Sequence, residues 1–353
     1  TSALTMIETP VTPSLRKQPS VTQPTSQKLE AAAVVVLFLL MSVVNYLVTN
    51  ASTGLIAFTN SEIADTHPVY ILPAGYAFSV WGIIYLLEAL FVVYQAVPST
   101  YGGGLADEAV ASVRALAMAL FVANGVWLFL FGWQIFWVAL LVIVAYDVLL
   151  FKLLATLDVN YFSRSVPWKT KVFVAAGFSA NASWVTVASF LQTQVNLLQE
   201  GWLPSADFTV GEIALAVAIA AFVVYHSADL LYTLVAAWAL AGIAANQAPG
   251  SDWGCSSRIC ASCAAGIALC EQADSSPFGG RPNGWSALCD GWSPSDATVC
   301  AVDKSAEVVA AAYVGIAAVA VAFVAGVVRA LIARSREAAE AAKQAALAPL
   351  AAE

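Results

Sequence analysis

Eight stretches of roughly 20 apolar residues, each long enough to cross about 30 Å of hydrocarbon, dominate this chain of 353 residues. They fall near 31–50, 74–97, 112–133, 135–157, 170–192, 210–227, 229–247 and 307–333. Chains built this way fold as helices in a bilayer, because lipid offers no partner to an unsatisfied backbone group. Only 11% of residues are charged, against about a quarter in soluble domains, and the mean hydropathy is +0.77. The expected fold class is therefore an all-α integral membrane protein with about eight transmembrane helices.

Lysine and arginine test that count, since they accumulate on the side that needs no translocation. With eight spans, both termini and the 2–3, 4–5 and 6–7 loops share one side, which holds 12 of the 15 basic residues. The other three, Arg258, Arg281 and Lys304, all lie in the long 7–8 loop, where the rule is weak. Merging spans six and seven would move Arg329, Arg334, Arg336 and Lys343 across and spoil the asymmetry. The net charge of -8 excludes the basic surface that nucleic acid requires.

The flanks divide the chain further. Residues 1–30 are rich in Ser, Thr, Pro and Gln, which fits a remnant of an organellar targeting region and equally a plain flexible extension. Residues 334–353 read as the last helix running into solvent. All six cysteines, Cys255, Cys260, Cys263, Cys270, Cys289 and Cys300, fall in the 248–306 loop, which the charge pattern puts on the trans side. An even number of cysteines in a turn-rich translocated segment reads as a disulfide-stapled loop. Two other readings stand beside it. Cys260 and Cys263 have zinc-ligand spacing, but no histidine or second pair accompanies them. Cys255, Cys260 and Cys263 have plant-ferredoxin spacing, but no fourth ligand is identifiable.

The most informative motif opens the second span: Pro73-Ala74-Gly75-Tyr76-Ala77-Phe78-Ser79-Val80-Trp81-Gly82-Ile83-Ile84-Tyr85. Trp81 and Tyr85, four residues apart, share a helix face; an aromatic belt at the headgroups accounts for them as well. The third span carries Asn124-Gly125-Val126-Trp127, and the fifth carries Trp184-Val185-x-x-Ala188. Together, in this order and at these separations, the three motifs resemble the tryptophan-rich sensory protein superfamily, which includes the translocator proteins. The opening is similar to its longer, multi-span branch. The resemblance covers about 31–200, a five-helix core; spans six and seven (201–247), with Trp238 to Ile243, fit that branch more loosely, and the cysteine loop departs from it.

The resemblance implies a helical bundle binding a hydrophobic small molecule, a tetrapyrrole or a lipid, among aromatic side chains. By motif match, the ligand would meet Tyr76, Phe78, Trp81, Tyr85, Asn124, Trp127 and Trp184, with Asp147 where the family often carries a polar residue. Stacking aromatics and a few polar groups suit a flat apolar ligand, while interhelical hydrogen bonding accounts for Asn124 and Asn181 equally well. Porphyrin and chlorophyll are the candidate cofactors. Glu88, in mid-span, must face protein, water or ligand; it and His226 are candidate pigment ligands, although His67 and His226 also read as plain interfacial histidines. A sterol motif is missing at 189–194. No histidine has an evident carboxylate or cysteine partner, so no enzyme is expected.

A second function class is an accessory subunit, structural or pigment-carrying, of a large organellar and perhaps photosynthetic membrane complex. A secondary transporter would show repeated halves with broken helices, and none is evident. The expected membrane is that of a plastid, such as the thylakoid, with the termini stromal and the cysteine loop lumenal.

Overall fold

The computed structural model describes residues 25–49, 54, 56–163, 166–202, 204–248 and 305–347. Among them are eight helices long and apolar enough to span a membrane, matching the eight stretches, and no strand. They are α1 (Thr25–Thr49), α3 (Val80–Ala96), α4 (Glu108–Gly132), α5 (Phe136–Leu157), α6 (Ala176–Gln199), α7 (Ala206–Ser227), α8 (Leu230–Gln247) and α9 (Ala306–Leu347). A short α2 (Asn60–Thr66) precedes α3. Its start is fixed by a capping box: Glu62 N–H donates to Thr59 Oγ1, and Thr59 N–H donates to Glu62 Oε2 at 2.7 Å.

Polar residues set the ends of the spanning helices. Asp107, Ser205 and Asp229 accept backbone N–H groups at the starts of α4, α7 and α8, satisfying donors that would otherwise be orphaned. Proline and glycine open the second span through a 3₁₀ turn, Gly75–Ser79, that leads into α3. The fifth span begins as a π turn, Thr170–Ala175, and α6 then continues to Gln199, seven residues past the expected end near 192. The extra turns contain Gln192, Gln194 and Asn196, which depress hydropathy but are buried and hydrogen-bonded: Gln194 Nε2 donates to Thr209 Oγ1 (2.8 Å) and Glu212 Oε2 (2.5 Å).

Successive connections alternate between two ends of the bundle. At one end Lys169 Nζ donates to Gly102 O (3.0 Å), and Tyr161 N–H donates to Ser227 O (2.9 Å). At the other, Phe58 N–H donates to Gly132 O, Trp137 Nε1 to Glu200 Oε1 (2.9 Å) and Gln247 Nε2 to Tyr70 O. There the buried His67 ring meets Gln199 Oε1 at 3.1 Å, and burial holds its imidazole below the ordinary histidine range.

Helix α6 is the most buried span and stands between two packed groups. One of its faces, Phe178, Ala182 and Val185, joins a core built mainly with α1, α3, α4 and α5, which Ala220, Val224, Tyr232, Ala236 and Val319 of the last three helices also reach. The other, Ala180, Trp184 and Val187, joins a core built with the start of α3 and with α7, α8 and α9. Close approach at Gly177 sets the α3–α6 crossing: a Cβ there would come within 2.8 Å of Glu88 N. At 42 residues, α9 is about 63 Å long, so it outruns the hydrocarbon and continues as an exposed helix past Arg334.

Candidate functional site

Four of the motif aromatics converge where α3 crosses α6. Trp81 stacks on Tyr85 (centroids 5.4 Å, planes at 24°), and Trp184 meets both Trp81 (6.4 Å) and Phe78 (5.6 Å) edge-on. Their spacing explains this: Trp81 and Tyr85 are one turn apart on α3, and the 3₁₀ turn swings Phe78 onto the same side. Tyr85 then leads inward, its hydroxyl accepting from Asn45 Nδ2 at 2.6 Å.

Beneath the aromatics lies a buried polar cluster contributed by four helices. Asn181 Nδ2 on α6 donates to Glu88 Oε1 on α3 (2.7 Å) and to the Tyr146 hydroxyl on α5 (2.5 Å). Asn124 Nδ2 on α4 approaches the same hydroxyl at 3.4 Å. Glu88, Asn124, Asn181 and Tyr146 are all buried, and the amide oxygens of Asn124 and Asn181 have no hydrogen-bond partner. Polar groups inside a membrane bundle are costly unless paired, so this cluster ties α3, α4, α5 and α6 together and leaves two acceptors over.

The remaining motif residues go elsewhere. Trp127 stacks on Phe131 (5.2 Å), and its Nε1 donates to Gln192 Oε1 at 3.3 Å. Asp147, next to Tyr146 but on another face of α5, accepts from Thr186 Oγ1. Tyr76 is half exposed and meets Trp238 of α8 edge-on at 5.3 Å. The opening of the motif thus docks α8. Trp238 Nε1 donates to Ala77 O, Ala74 N–H donates to Gly242 O (both 2.9 Å), and a Cβ at Gly242 would lie 2.8 Å from Ala77 Cβ. Tyr146 and Asn45 were missed by sequence reasoning. The signal for Tyr146 was a polar group in mid-span, the same one that marked Glu88, whereas Asn45 lies in the last turns of α1 and stood out less.

Two cavities bear on ligand size. One of about 10 Å³ lies beside Ser183, Thr186 and Tyr232 and holds no more than a single water. The other is a half-open cleft of about 680 Å³ between the last turns of α5 and α7, lined by Phe151, Leu154, Asp158, Ile219, Phe222 and His226 among others. It brings in His226 but none of the motif residues. Among the described residues, no group of three or more His, Cys, Asp or Glu side chains is placed to hold a metal ion. The six cysteines lie outside the described residues.

The model of the family described as TSPO-like protein matches residues 31–270 of the chain. The chain belongs to that family. The match reaches past the five-helix core through α7 and α8, which agrees with the docking of Trp238 and Gly242 onto the Pro73–Ala77 turn. It ends before α9. No curated protein and no solved structure matches. The TSPO-like family suggests a membrane protein that binds hydrophobic ligands, and eight apolar helices put this member in a lipid bilayer.

Proposed function

We propose that this TSPO-like protein binds a tetrapyrrole or a related lipid-soluble ligand without transforming it. The observation that carries this reading is the convergence of Phe78, Trp81, Tyr85 and Trp184 on one aromatic cluster directly above Glu88 and Asn181. Aromatic faces offer stacking to a flat macrocycle, and two unpaired buried amide oxygens offer acceptors to its N–H groups. Tyr76, Asn124, Trp127 and Asp147 belong to the same proposal as motif-matched residues around that cluster.

The test is a titration of the purified chain in nanodiscs with protoporphyrin IX, followed by tryptophan fluorescence. Saturable quenching is expected, weakened at least ~10-fold, or about 1.4 kcal/mol, in Trp81→Phe. Trp127→Phe should weaken it less, because Trp127 sits one helix away. Equal binding by wild type and both variants would remove the motif residues from the ligand site.

One observation favours a second role, as an accessory subunit of a large organellar complex, photosynthetic or otherwise. Helix α9 lies outside the family match, covers α7 and α8, and extends beyond the bundle as an exposed helix. Co-migration with a large assembly on gentle solubilisation would support it, and a lone small species would count against it. The plastid location, the stromal termini and the pairing of Cys255, Cys260, Cys263, Cys270, Cys289 and Cys300 as disulfides on the lumenal face belong to the same proposal. Thiol alkylation before and after reduction tests the pairing.

A further inference from the structure

The cleft between α5 and α7 is built differently from the motif cluster. Helix α5 packs mainly on α4 and α6, and α7 mainly on α9, so their last turns stand apart. Both helices end abruptly at one level, in left-handed residues, Asp158 (φ 41°) and Ala228 (φ 50°). The gap between them is walled by Phe151, Leu154, Ile219 and Phe222, and polar Asp158, His226 and Ser227 stand at its mouth. Its volume of about 680 Å³ lies inside the ~300–1,000 Å³ range of small-molecule sites.

The mouth is fixed by hydrogen bonds that leave one side chain over. His226 O accepts from Asn160 Nδ2 (3.2 Å) and from Arg329 Nη2 (2.5 Å), and Ser227 O accepts from Tyr161 N–H (2.9 Å). Three hydrogen bonds from two separate segments, the 160–161 loop and α9, therefore hold the backbone at 226–227. The imidazole of His226 is exposed and rests against Phe222 (4.7 Å) and Tyr225 (5.3 Å). Its ring nitrogens make no hydrogen bond with the described residues.

We propose that this cleft seats a metallotetrapyrrole whose metal is ligated by His226, an inference that rests on the hydrophobic-ligand reading and adds a second site to it. A neutral imidazole is the commonest protein ligand for a metal and the proximal ligand of many haems. The macrocycle would fill the slot between Phe151 and Phe222, with its polar edge towards Ser227 and the water beyond. An acyl chain would use the same walls but leaves the unbonded imidazole without a role.

The test uses the full chain in nanodiscs with zinc protoporphyrin IX and, separately, metal-free protoporphyrin IX. Wild type should shift the zinc protoporphyrin Soret band saturably to the form with an axial nitrogen ligand. His226→Ala should weaken that binding at least ~10-fold and lose the ligated spectrum, and added imidazole should restore it. Its affinity for metal-free protoporphyrin should stay within about twofold. Because His226 is held through its backbone, the variant should elute as wild type does. An unchanged spectrum in His226→Ala, or a shift no different from empty nanodiscs, overturns the assignment. If metal-free protoporphyrin still binds in a Trp81-dependent way, that failure belongs to the cleft alone. If neither porphyrin binds, the ligand reading fails with it.

Discussion

The two groups of helices around α6 adhere by different chemistry. The five-helix group, α1 and α3 to α6, is held by aromatic pairs such as Phe38–Phe121 and Phe91–Phe178 and by the Glu88–Asn181–Tyr146 cluster. The group of α7, α8 and α9 is held by small residues: a Cβ at Gly326 would lie 2.7 Å from Val224 O, and one at Gly315 would lie 2.7 Å from Val217 Cγ2. Lipid tails are as apolar as leucine, so helices in a membrane associate through close packing or through interhelical hydrogen bonds. Both occur on each side of α6, as Gly177 and Gln194 show, but aromatic and polar pairs predominate in the five-helix group and small-residue contacts between α7 and α9. The difference also explains what a family motif can capture. Tryptophans and asparagines at fixed positions leave a signature, whereas the alanine-rich α9 pairs most extensively of all helices, with α7, and still lies outside the family match.

Substituting at the tightest small-residue contact should have the largest effect. Gly326→Leu drives a side chain into the Val224 and Tyr225 carbonyls and should destabilise the chain by about 3 kcal/mol, read as a lowered midpoint of thermal unfolding in detergent. Gly125→Ala and Gly211→Ala, where a Cβ meets nothing within 4 Å, should stay within about 0.5 kcal/mol of wild type. Equal losses at all three positions would show that close approach at Gly326 is not what joins α9 to α7.

The five-helix group should instead fail through its polar pairs. Asn181→Leu leaves Glu88 buried without its donor and should cost about 2 kcal/mol. Combining it with Glu88→Leu should recover much of that loss, because neither polar group is then stranded. A purely additive double variant in the same unfolding assay would show that the pair is not coupled. Trp127→Phe, which loses the bond to Gln192 and part of the ring buried against Phe131, should cost about 1–2 kcal/mol.

The smallest expected effect is on pH. Burial lowers the His67 pKa in the fold below the ordinary histidine value of 6.5, so the folded chain binds the proton less readily than the unfolded one. Stability is therefore unaffected well above pH 6.5 and declines as pH falls through that value, levelling off below the folded pKa. His67→Gln should flatten this decline in unfolding midpoints measured from pH 7.5 to 5.5. A decline that persists unchanged would place its origin at another group.

Much of this architecture was legible in the sequence because a membrane imposes one requirement per span, a long apolar run. The exceptions are instructive. Helix α6 overran its expected end because Gln192, Gln194 and Asn196 lower hydropathy, yet find partners within α6 and on α7. The Pro73–Tyr85 motif marked the right segment, but not that its first residues dock α8 while Trp81 and Tyr85 turn inward. Tyr146 was overshadowed by its charged neighbour Asp147, and only the helix crossing tells which of the two meets Asn181. Two helices kept apart by a third leave no trace in either sequence, so the cleft at His226 could not be read from periodicity.

The most direct test of the central claim is to purify the chain gently from its native membrane and record its absorption spectrum across the size-exclusion peak. A tetrapyrrole band should elute with the chain, or, if the ligand is lost, protoporphyrin IX added back should give saturable Trp81-dependent quenching. A colourless chain whose fluorescence responds to protoporphyrin no differently from empty nanodiscs would contradict that claim.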